Sequence, residues 1–180
     1  MKISLDWLQT YFEKKLPETE EVVHGLTMHA FEIEGIEKFE NDEILDVKVL
    51  PNRAHDCLSY YGIAKEVSAI FDLTLKKKLL LGEIRKFPQS NEFLVEIKSE
   101  KVKRFKAVVM KNIEIKESSD WLKKRIEAMG GKSINNIVDI TNVVMFETGQ
   151  PMHAFDMDKV GGSFLVRESK DVEKVKTLDG

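Results

Sequence analysis

The chain has 180 residues, 42% of them hydrophobic and 33% charged, with a formal net charge of −3 at pH 7. This composition is typical of a globular protein with a buried core, and the overall charge gives no polyelectrolyte signal for nucleic acid, although a local basic patch is compatible with it. No apolar run approaches the ~18 residues of a membrane span, and the N-terminus lacks a signal-peptide pattern. Cys57 is the only cysteine, which excludes an internal disulfide. These features predict a cytoplasmic protein without a membrane segment.

The first part of the sequence predicts short helices alternating with strands. In chain order, we expect a helix that begins after Ser4 and ends at Pro17, a helix over residues 17–31, strands over 32–39 and 43–50, and a helix over about 59–71 capped by Asp56 or Ser59. The composition then changes over residues 76–91, which contain a basic cluster, Gly82 and Pro88. We therefore predict a domain boundary there.

The second part of the sequence predicts further strands and one clear helix. Residues 92–99 and 102–115 alternate in the manner of strands, and residues 118–131 predict a helix with an apolar stripe of Trp121, Leu122, Ile126 and Met129. Residues 135–149 are compatible with either a strand or a buried helix, and strands are expected at 162–169 and 173–180. Asp179-Gly180 is a typical turn pair, so we expect the chain to be cut from a longer one.

The usual signatures of metal and phosphate sites are not seen in the sequence. Its four histidines and Cys57 lack zinc-ligand spacing, and adjacent residues in His55-Asp56-Cys57 cannot all point at one ion. Glycine pairs occur at residues 130–131 and 161–162, but no glycine-rich loop with a lysine and a serine or threonine follows a predicted strand. Cys57 shows no reason to be an activated nucleophile, so we expect a core position for it. The sequence therefore predicts no metal site.

Residues 51–56, PNRAHD, begin a loop before a predicted helix. Arg53 is expected either to form an internal ion pair with Asp56 or to contact an RNA phosphate. The ion pair is the simpler interpretation, since both side chains lie within the same short loop.

A second polar group lies in residues 138–156, VDITNVVMFETGQPMHAFD. Its polar members are Asp139, Thr141, Asn142, Gln150, His153 and Asp156. Because buried polar groups need partners, these side chains are expected to satisfy one another or to line a pocket. His153 is compatible with two roles at this point: a neutral histidine that holds backbone together, or a pocket residue that hydrogen-bonds substrate or orients water.

Three stretches resemble one family. Residues 49–71, VLPNRAHDCLSYYGIAKEVSAIF, are similar to the N-terminal region of the bacterial phenylalanyl-tRNA synthetase beta subunit. Residues 120–156, from DWLKKRIEAMGG to GQPMHAFD, are similar to the start of its central editing domain. The first residues of that subunit resemble a third stretch of this chain, which has two parts, MKISLDWLQTYF and GLTMHAFEIEGIE. All these stretches follow one another in the same order as in the family. Residues 35–53 run through without the oligonucleotide-binding barrel that typical bacterial members insert there, and family members continue for several hundred residues beyond residue 180.

The resemblance implies a part of an ATP- and magnesium-dependent aminoacyl-tRNA synthetase, a ligase of protein biosynthesis whose partners are an alpha subunit and tRNA(Phe). Aminoacylation would take place on the alpha subunit, so no cofactor is expected in this chain. By position, the resemblance implies that His153 and Thr141 are catalytic in the hydrolysis of mischarged tyrosyl-tRNA. It also implies that Pro151, Asn142 and Ala154 bind substrate, while the acidic residue that recognises the tyrosine hydroxyl lies beyond residue 180.

The expected fold is α+β. It consists of a small N-terminal helix and strand domain over residues 1–80, followed over residues 81–180 by the first part of a mixed α/β tRNA-editing domain. The alternative to proofreading is a non-catalytic tRNA-binding or subunit-assembly module, and a further alternative is an unrelated enzyme with a histidine pocket.

Overall fold

The computed structural model of the chain describes residues 1–76 and 91–176. Within these ranges six helices and five strands confirm the predicted α+β class. The strands are β1 (Lys2–Ser4), β2 (Ile33–Phe39), β3 (Asp42–Val47), β4 (Leu94–Ile97) and β5 (Ser163–Val166). The helices are α1 (Leu5–Gln9), α2 (Thr19–His29), α3 (Ala54–Cys57), α4 (Tyr60–Phe71), α5 (Asp120–Ala128) and α6 (Asn136–Thr148). No described helix has the length and apolarity needed to cross a membrane.

The described residues pack as two compact units. We call residues 1–76 with 115–154 the helical unit, and residues 91–114 with 155–176 the strand unit. Residues 115–154, which the sequence assigned to the second domain, thus pack with the N-terminal residues. The boundary predicted at residues 76–91 falls almost entirely outside the described residues and stays a prediction.

The helical unit contains a three-stranded antiparallel sheet in the order β1-β3-β2. In the register of the central strand β3, Leu45 lies opposite Ile3 on one side and Ile36 on the other. Ile44, Leu45 and Val47 of this strand are all buried. Because the sheet is small, helices must cover its apolar face to complete a core.

Two serine caps explain where helices α1 and α4 begin. The Ser4 hydroxyl accepts a hydrogen bond from the Trp7 amide, and the Ser59 hydroxyl accepts one from the Gly62 amide. Each cap satisfies an amide that has no partner within its helix. The Ser4 cap is confirmed as predicted, and Ser59, rather than Asp56, caps α4.

The first helix is shorter than predicted, because it ends at Gln9 instead of continuing to Pro17. The Gln9 amide group explains the early end. Its nitrogen donates to the carbonyls of Phe12 and Lys14 at 3.4 and 3.0 Å, and its oxygen accepts from the Leu16 amide at 2.7 Å. These bonds satisfy backbone groups that an extended helix would otherwise use, so the chain turns around Gln9.

The core of the helical unit joins both chain segments of that unit. Its members include Trp7, Phe12, Leu26, Leu45, Tyr60, Ile63 and Val67 from the N-terminal segment, and Leu122, Ile126 and Val143 from α5 and α6. Gly25 allows α2 to approach α4, because a Cβ atom there would lie 2.5 Å from the ring of Phe71. The segment over residues 135–149, open between strand and helix, is therefore a helix that packs into this core.

The strand unit has one parallel ladder, β4 beside β5, with Leu94 opposite Ser163. The Phe164 ring meets Phe93, Phe155 and Phe105 edge-on, with ring centroids 4.8, 5.0 and 6.0 Å away. No apolar side chain among the described residues of this unit is fully buried. Its structure therefore depends on this phenylalanine group and on surface ion pairs.

Four expectations from the sequence are wrong or lie outside the described residues. The strand predicted over residues 102–115 is not formed, and Phe105, Val108, Met110 and Ile113 are exposed there. Alternation alone does not make a strand, because a strand also needs a neighbour to complete its hydrogen bonds. Residues 173–176 are likewise not a strand, and the Asp179-Gly180 turn is outside the described part. Trp121, placed in the apolar stripe of α5, is 57% exposed.

Candidate functional site

The segment with His153 follows directly from the end of helix α6. Gly149 stops the helix with φ 74°, and its amide donates to the Met145 carbonyl at 2.8 Å. A Cβ atom on Gly149 would also lie 3.2 Å from the Leu58 carbonyl oxygen, so a side chain would crowd the start of α4. Glycine thus turns the chain at a place where it has little room, and residues 150–156 leave the helix as an exposed segment.

The structure places the five predicted pocket residues on two adjoining elements. Thr141 and Asn142 are half-buried on α6, while Pro151, His153 and Ala154 are exposed on the segment after Gly149. The Thr141 hydroxyl donates to the Val138 carbonyl at 2.7 Å. Its proton is therefore committed to the helix, and its oxygen can still accept a hydrogen bond from a water or a substrate hydroxyl.

Helix α6 is held in place by the carboxylate of Asp139. The sequence singled out this residue but did not reveal its hydrogen-bond partners. Asp139 is fully buried and accepts hydrogen bonds from the hydroxyls of Ser118 and Ser133 at 2.5 and 2.6 Å, and from the Ile134 amide at 3.0 Å. Burial by itself raises the pKa of Asp139, but the three hydrogen bonds together hold that pKa below its usual value. Asp139 therefore anchors the helix that carries Thr141.

The C-terminal end of α6 is held by an aromatic and ionic group. Glu147 accepts from the Arg125 guanidinium at 3.2 Å and from the Trp7 indole at 3.3 Å. The Arg125 guanidinium also lies 4.5 Å above the Trp7 ring, which stacks on Tyr60 at 3.9 Å. The contacts of Trp7 with Glu147 and Arg125 join residues more than 100 positions apart, so no local sequence pattern signals them.

Asp156, the last polar member of the stretch, has a local role. Its carboxylate accepts from the Asp158 amide at 3.2 Å and caps the short 3₁₀ turn Met157–Lys159. Asp139 and Asp156 thus find partners outside the set of polar residues that the sequence grouped together. The expectation that these residues satisfy one another is wrong for both carboxylates.

Arg53 forms the predicted ion pair and a second one that the sequence did not reveal. Its Nη2 donates to Asp56 and to Glu66, both at 2.8 Å, and to the Cys57 sulfur at 3.0 Å. The bonds to Asp56 and Glu66 raise the pKa of Arg53, and the Arg53 guanidinium in turn lowers the pKa of Asp56 to about 2. Two carboxylates thus already neutralise the guanidinium, which weighs against an RNA contact by Arg53.

The same group contains possible metal ligands. One ligand atom each from Asp56, Cys57 and Glu66 lies within 4.8 Å of the others, whereas His55 is outside this set. The Arg53 guanidinium contacts all three and supplies the positive charge that a metal would otherwise bring. Burial raises the pKa of the Cys57 thiol to about 11, which opposes formation of the thiolate needed for ligation or nucleophilic attack.

Two grooves among the described residues lie on the helical unit, and neither includes the predicted site. One, of about 450 Å³, is lined by Glu20, Glu21, His24, Gly25, His29, Ile70 and Phe71, and the other lies between α1 and the start of β3. Neither brings Thr141 and His153 together. Their shared role therefore stays a prediction that rests on position in the sequence.

Comparison with known proteins identifies the family. Residues 101–180 match the B3/4 domain. The phenylalanine–tRNA ligase beta subunits of Fusobacterium nucleatum and Aquifex aeolicus are each 48% identical to the chain, over 143 and 139 residues that cover 78% and 77% of it but 18% and 17% of the relatives. The beta subunit of Rhodopirellula baltica is 34% identical over 181 residues, 99% of this chain and 26% of the relative. The chain, which spans about a fifth of the length of these relatives, belongs to the family of phenylalanine–tRNA ligase beta subunits.

Proposed function

We propose that the chain acts within a phenylalanine–tRNA ligase that pairs this beta subunit with an alpha subunit, and that it contributes to proofreading by hydrolysing mischarged tyrosyl-tRNA. The observation that carries the proposal is the exposed segment after Gly149, which presents His153 directly after a helix that is anchored by the hydrogen bonds of Asp139. The match to the B3/4 domain contains both Thr141 and His153. Family membership removes the alternative of an unrelated enzyme.

The proposed chemistry is hydrolysis of an ester that is already reactive. His153 would position a water or the ester carbonyl, and the Thr141 oxygen would accept a hydrogen bond from that water, since its own proton is held by Val138. Neither residue has to be a strong base. Pro151, Asn142 and Ala154 would shape the substrate pocket beside them.

Discrimination between tyrosine and phenylalanine follows from hydrogen bonding. A pocket with a polar group for the phenol hydroxyl rejects phenylalanine, because that polar group would be left unpaired. ATP and magnesium would serve the aminoacylation reaction on the alpha subunit in the cytoplasm. No step that uses them is assigned to residues of this chain.

The test is hydrolysis of tyrosyl-tRNA(Phe) by the complete alpha and beta enzyme with His153→Ala. We expect hydrolysis to fall at least about tenfold while phenylalanine aminoacylation is unchanged, since a positioning interaction contributes on this scale. His29→Ala, which removes an exposed histidine from α2, is the matched control and should leave hydrolysis intact. Unchanged hydrolysis in the His153 variant would contradict the proofreading role.

The alternative function, a non-catalytic module for tRNA binding or subunit assembly, predicts a different pattern. In that case the complete wild-type enzyme would bind tRNA(Phe) and form its complex but would not hydrolyse tyrosyl-tRNA. Replacing Thr141 by valine and by serine separates the two functions further. Under the proofreading proposal, serine should retain hydrolysis and valine should reduce it.

A further inference from the structure

A short stretch of the strand unit is strongly basic in a chain that is acidic overall. Residues 98–112 contain six lysines and arginines and a single carboxylate, Glu100, whereas the whole chain carries a net charge of −3. Such a local excess of positive charge attracts polyanions even when the whole protein has the opposite sign. The predicted pocket residues lie outside this stretch, and the proposed hydrolysis does not use it.

The six cations divide into two groups of three. Lys98, Lys101 and Lys111 are paired with Glu96, Glu168 and Glu92 at 3.2, 2.9 and 2.8 Å. Lys103, Arg104 and Lys106 are exposed and form no ion pair or side-chain hydrogen bond with another residue in ranges 1–76 and 91–176. Their charge is therefore not neutralised by any described carboxylate.

An aromatic ring lies within the unpaired group. Phe105 is 41% exposed, and its ring meets the Phe164 ring edge-on with 6.0 Å between centroids and 66° between planes. The contact holds the ring while leaving much of its surface open. A held, partly exposed ring beside lysine and arginine is the arrangement with which proteins stack an unpaired base and contact its backbone.

We propose that Lys103, Arg104 and Lys106 contact phosphates of an RNA strand and that Phe105 stacks on one of its bases. We call these four residues the 103–106 surface. The proposal rests on the proposed function, because the bound RNA is taken to be the tRNA of that enzyme. The guanidinium of Arg104 can bind a phosphate through two parallel hydrogen bonds, whereas each lysine offers a point charge.

The proposal predicts a specific dependence on salt. Binding to single-stranded nucleic acid weakens with a logarithmic slope of about −0.7 per phosphate contact, so three contacts correspond to a slope of roughly −2. Removing the three charges should therefore lower the magnitude of the measured slope by about 2. Between 50 and 200 mM salt, these three contacts correspond to a roughly 16- to 20-fold change in affinity.

The experiment measures binding of fluorescein-labelled, uncharged tRNA(Phe) transcript to the 180-residue chain by fluorescence anisotropy at 50 and 200 mM KCl. The test variant carries Lys103→Gln, Arg104→Gln and Lys106→Gln. The matched control carries Lys98→Gln, Lys101→Gln and Lys111→Gln, which removes the same charge from the same stretch but from paired residues. We expect at least about tenfold weaker binding for the test variant and less than about threefold for the control.

A second variant separates stacking from charge. Phe105→Leu keeps an apolar side chain against Phe164 and removes the aromatic face, so it should weaken binding about fivefold or more with an unchanged salt slope. Circular dichroism of each variant identifies loss of folding. A normal spectrum with unchanged affinity in Phe105→Leu would overturn the stacking role.

Other results overturn the proposal in distinct ways. Equal losses in the test and control variants would mean that binding follows total charge and not the 103–106 surface. Binding to vesicles of phosphatidylcholine and phosphatidylserine without binding to the transcript would assign the surface to a membrane. A test variant that binds the transcript like wild type, alongside loss of hydrolysis in His153→Ala, would overturn this inference and leave the proposed function intact.

Discussion

The helical unit and the strand unit differ in how much apolar surface they bury. The helical unit buries about twenty apolar side chains in one core, whereas no apolar side chain in the described strand unit is fully buried. Burying one large apolar side chain contributes about 1.5–3 kcal/mol, so most of the stabilisation of the described residues comes from the helical unit. Substitutions at Gly62, Asp139, Arg53 and Phe164 can show how far the two units differ.

The largest effect is expected where backbone packs on backbone in the helical unit. Gly62 lies at the start of α4, and a Cβ atom there would be 2.1 Å from the Asp56 carbonyl oxygen and 2.6 Å from the Cys57 Cα. Gly62→Ala should lower the free energy of unfolding by roughly 3 kcal/mol, because backbone cannot move aside as a side chain can. This loss of unfolding free energy can be measured by urea denaturation, with the fluorescence of buried Trp7 as the signal.

Gly35→Ala is the control for this change. Gly35 lies in β2, where an added Cβ meets nothing within 4 Å, so its free energy of unfolding should stay within about 0.5 kcal/mol of wild type. Similar stabilities for the two alanine variants would contradict the close packing of the loop against α4.

The next effect is expected at the buried carboxylate that anchors α6. Asp139→Ala removes an acceptor from two serine hydroxyls and one amide, and should cost about 2–4 kcal/mol of unfolding free energy. Because the folded-state pKa of Asp139 is lowered, its contribution is present above about pH 4 and is lost as pH falls through that lower pKa. Denaturation at several pH values tests both points.

Asp171→Ala removes an exposed carboxylate and should change neither the stability nor its pH dependence. An Asp139 variant that denatures with the same acid sensitivity as wild type would show that this carboxylate does not contribute through its charge.

A smaller effect, which is present above about pH 4 and disappears in acid, is expected at Arg53. The pKa of Asp56 is about 2 in the folded chain and about 4 in an unfolded one, so the ion pair stabilises the fold above about pH 4 and is lost as pH falls from about 4 to about 2. In Arg53→Gln the Asp56 pKa returns towards its usual value, and the melting temperature should depend less on pH in that window. Calorimetry between pH 2 and pH 6 measures this dependence.

Lys15→Gln breaks the pair between Lys15 and Glu18, both more than 80% exposed, and serves as its control. We expect its pH profile to match wild type, since exposed pairs contribute little. The Arg53 interpretation fails if the two variants have the same acid profile.

The smallest effect on overall stability is expected in the strand unit. Phe164→Leu removes the ring on which three other phenylalanines converge. Amide exchange of Leu94–Ile97 and Ser163–Val166 should become several-fold faster, while the core amides of the helical unit keep their protection. Val172→Ala, at a side chain that is 97% exposed, should change neither. Faster exchange throughout the helical core would contradict a role of this ring that is confined to the strand unit.

Much of the local structure follows from the sequence because its causes lie close together in the chain. Ser4 is a predicted helix cap and Ser59 is one of two candidates for another, and each accepts from an amide three residues later. The pair of Arg53 with Asp56 spans the same distance. Helix α5 and the short strands β2, β4 and β5 are likewise predicted from local pattern, within a few residues of their observed ends.

The errors in the predicted strands and helices come from contacts that the local sequence pattern does not report. The alternation over residues 102–115 predicts a strand, yet no neighbouring strand in the described residues completes its hydrogen bonds. The length of α1 depends on a side chain, Gln9, that captures backbone groups up to seven residues away. A pattern that reports only burial or propensity does not reveal which backbone group a polar side chain will satisfy.

The sequence by itself determined the α+β class, most helix starts and, through its resemblance, the family of phenylalanine–tRNA ligase beta subunits. The sequence also singled out Thr141 and His153, because both lie in one continuous stretch, residues 120–156, that resembles the family. Only the tertiary structure decided that Asp139 is held by Ser118 and Ser133, and that Glu66 shares Arg53 with Asp56. Partners separated by 6 to 21 residues meet because helices pack around a common core, and that packing is set by the whole chain and not by any one segment.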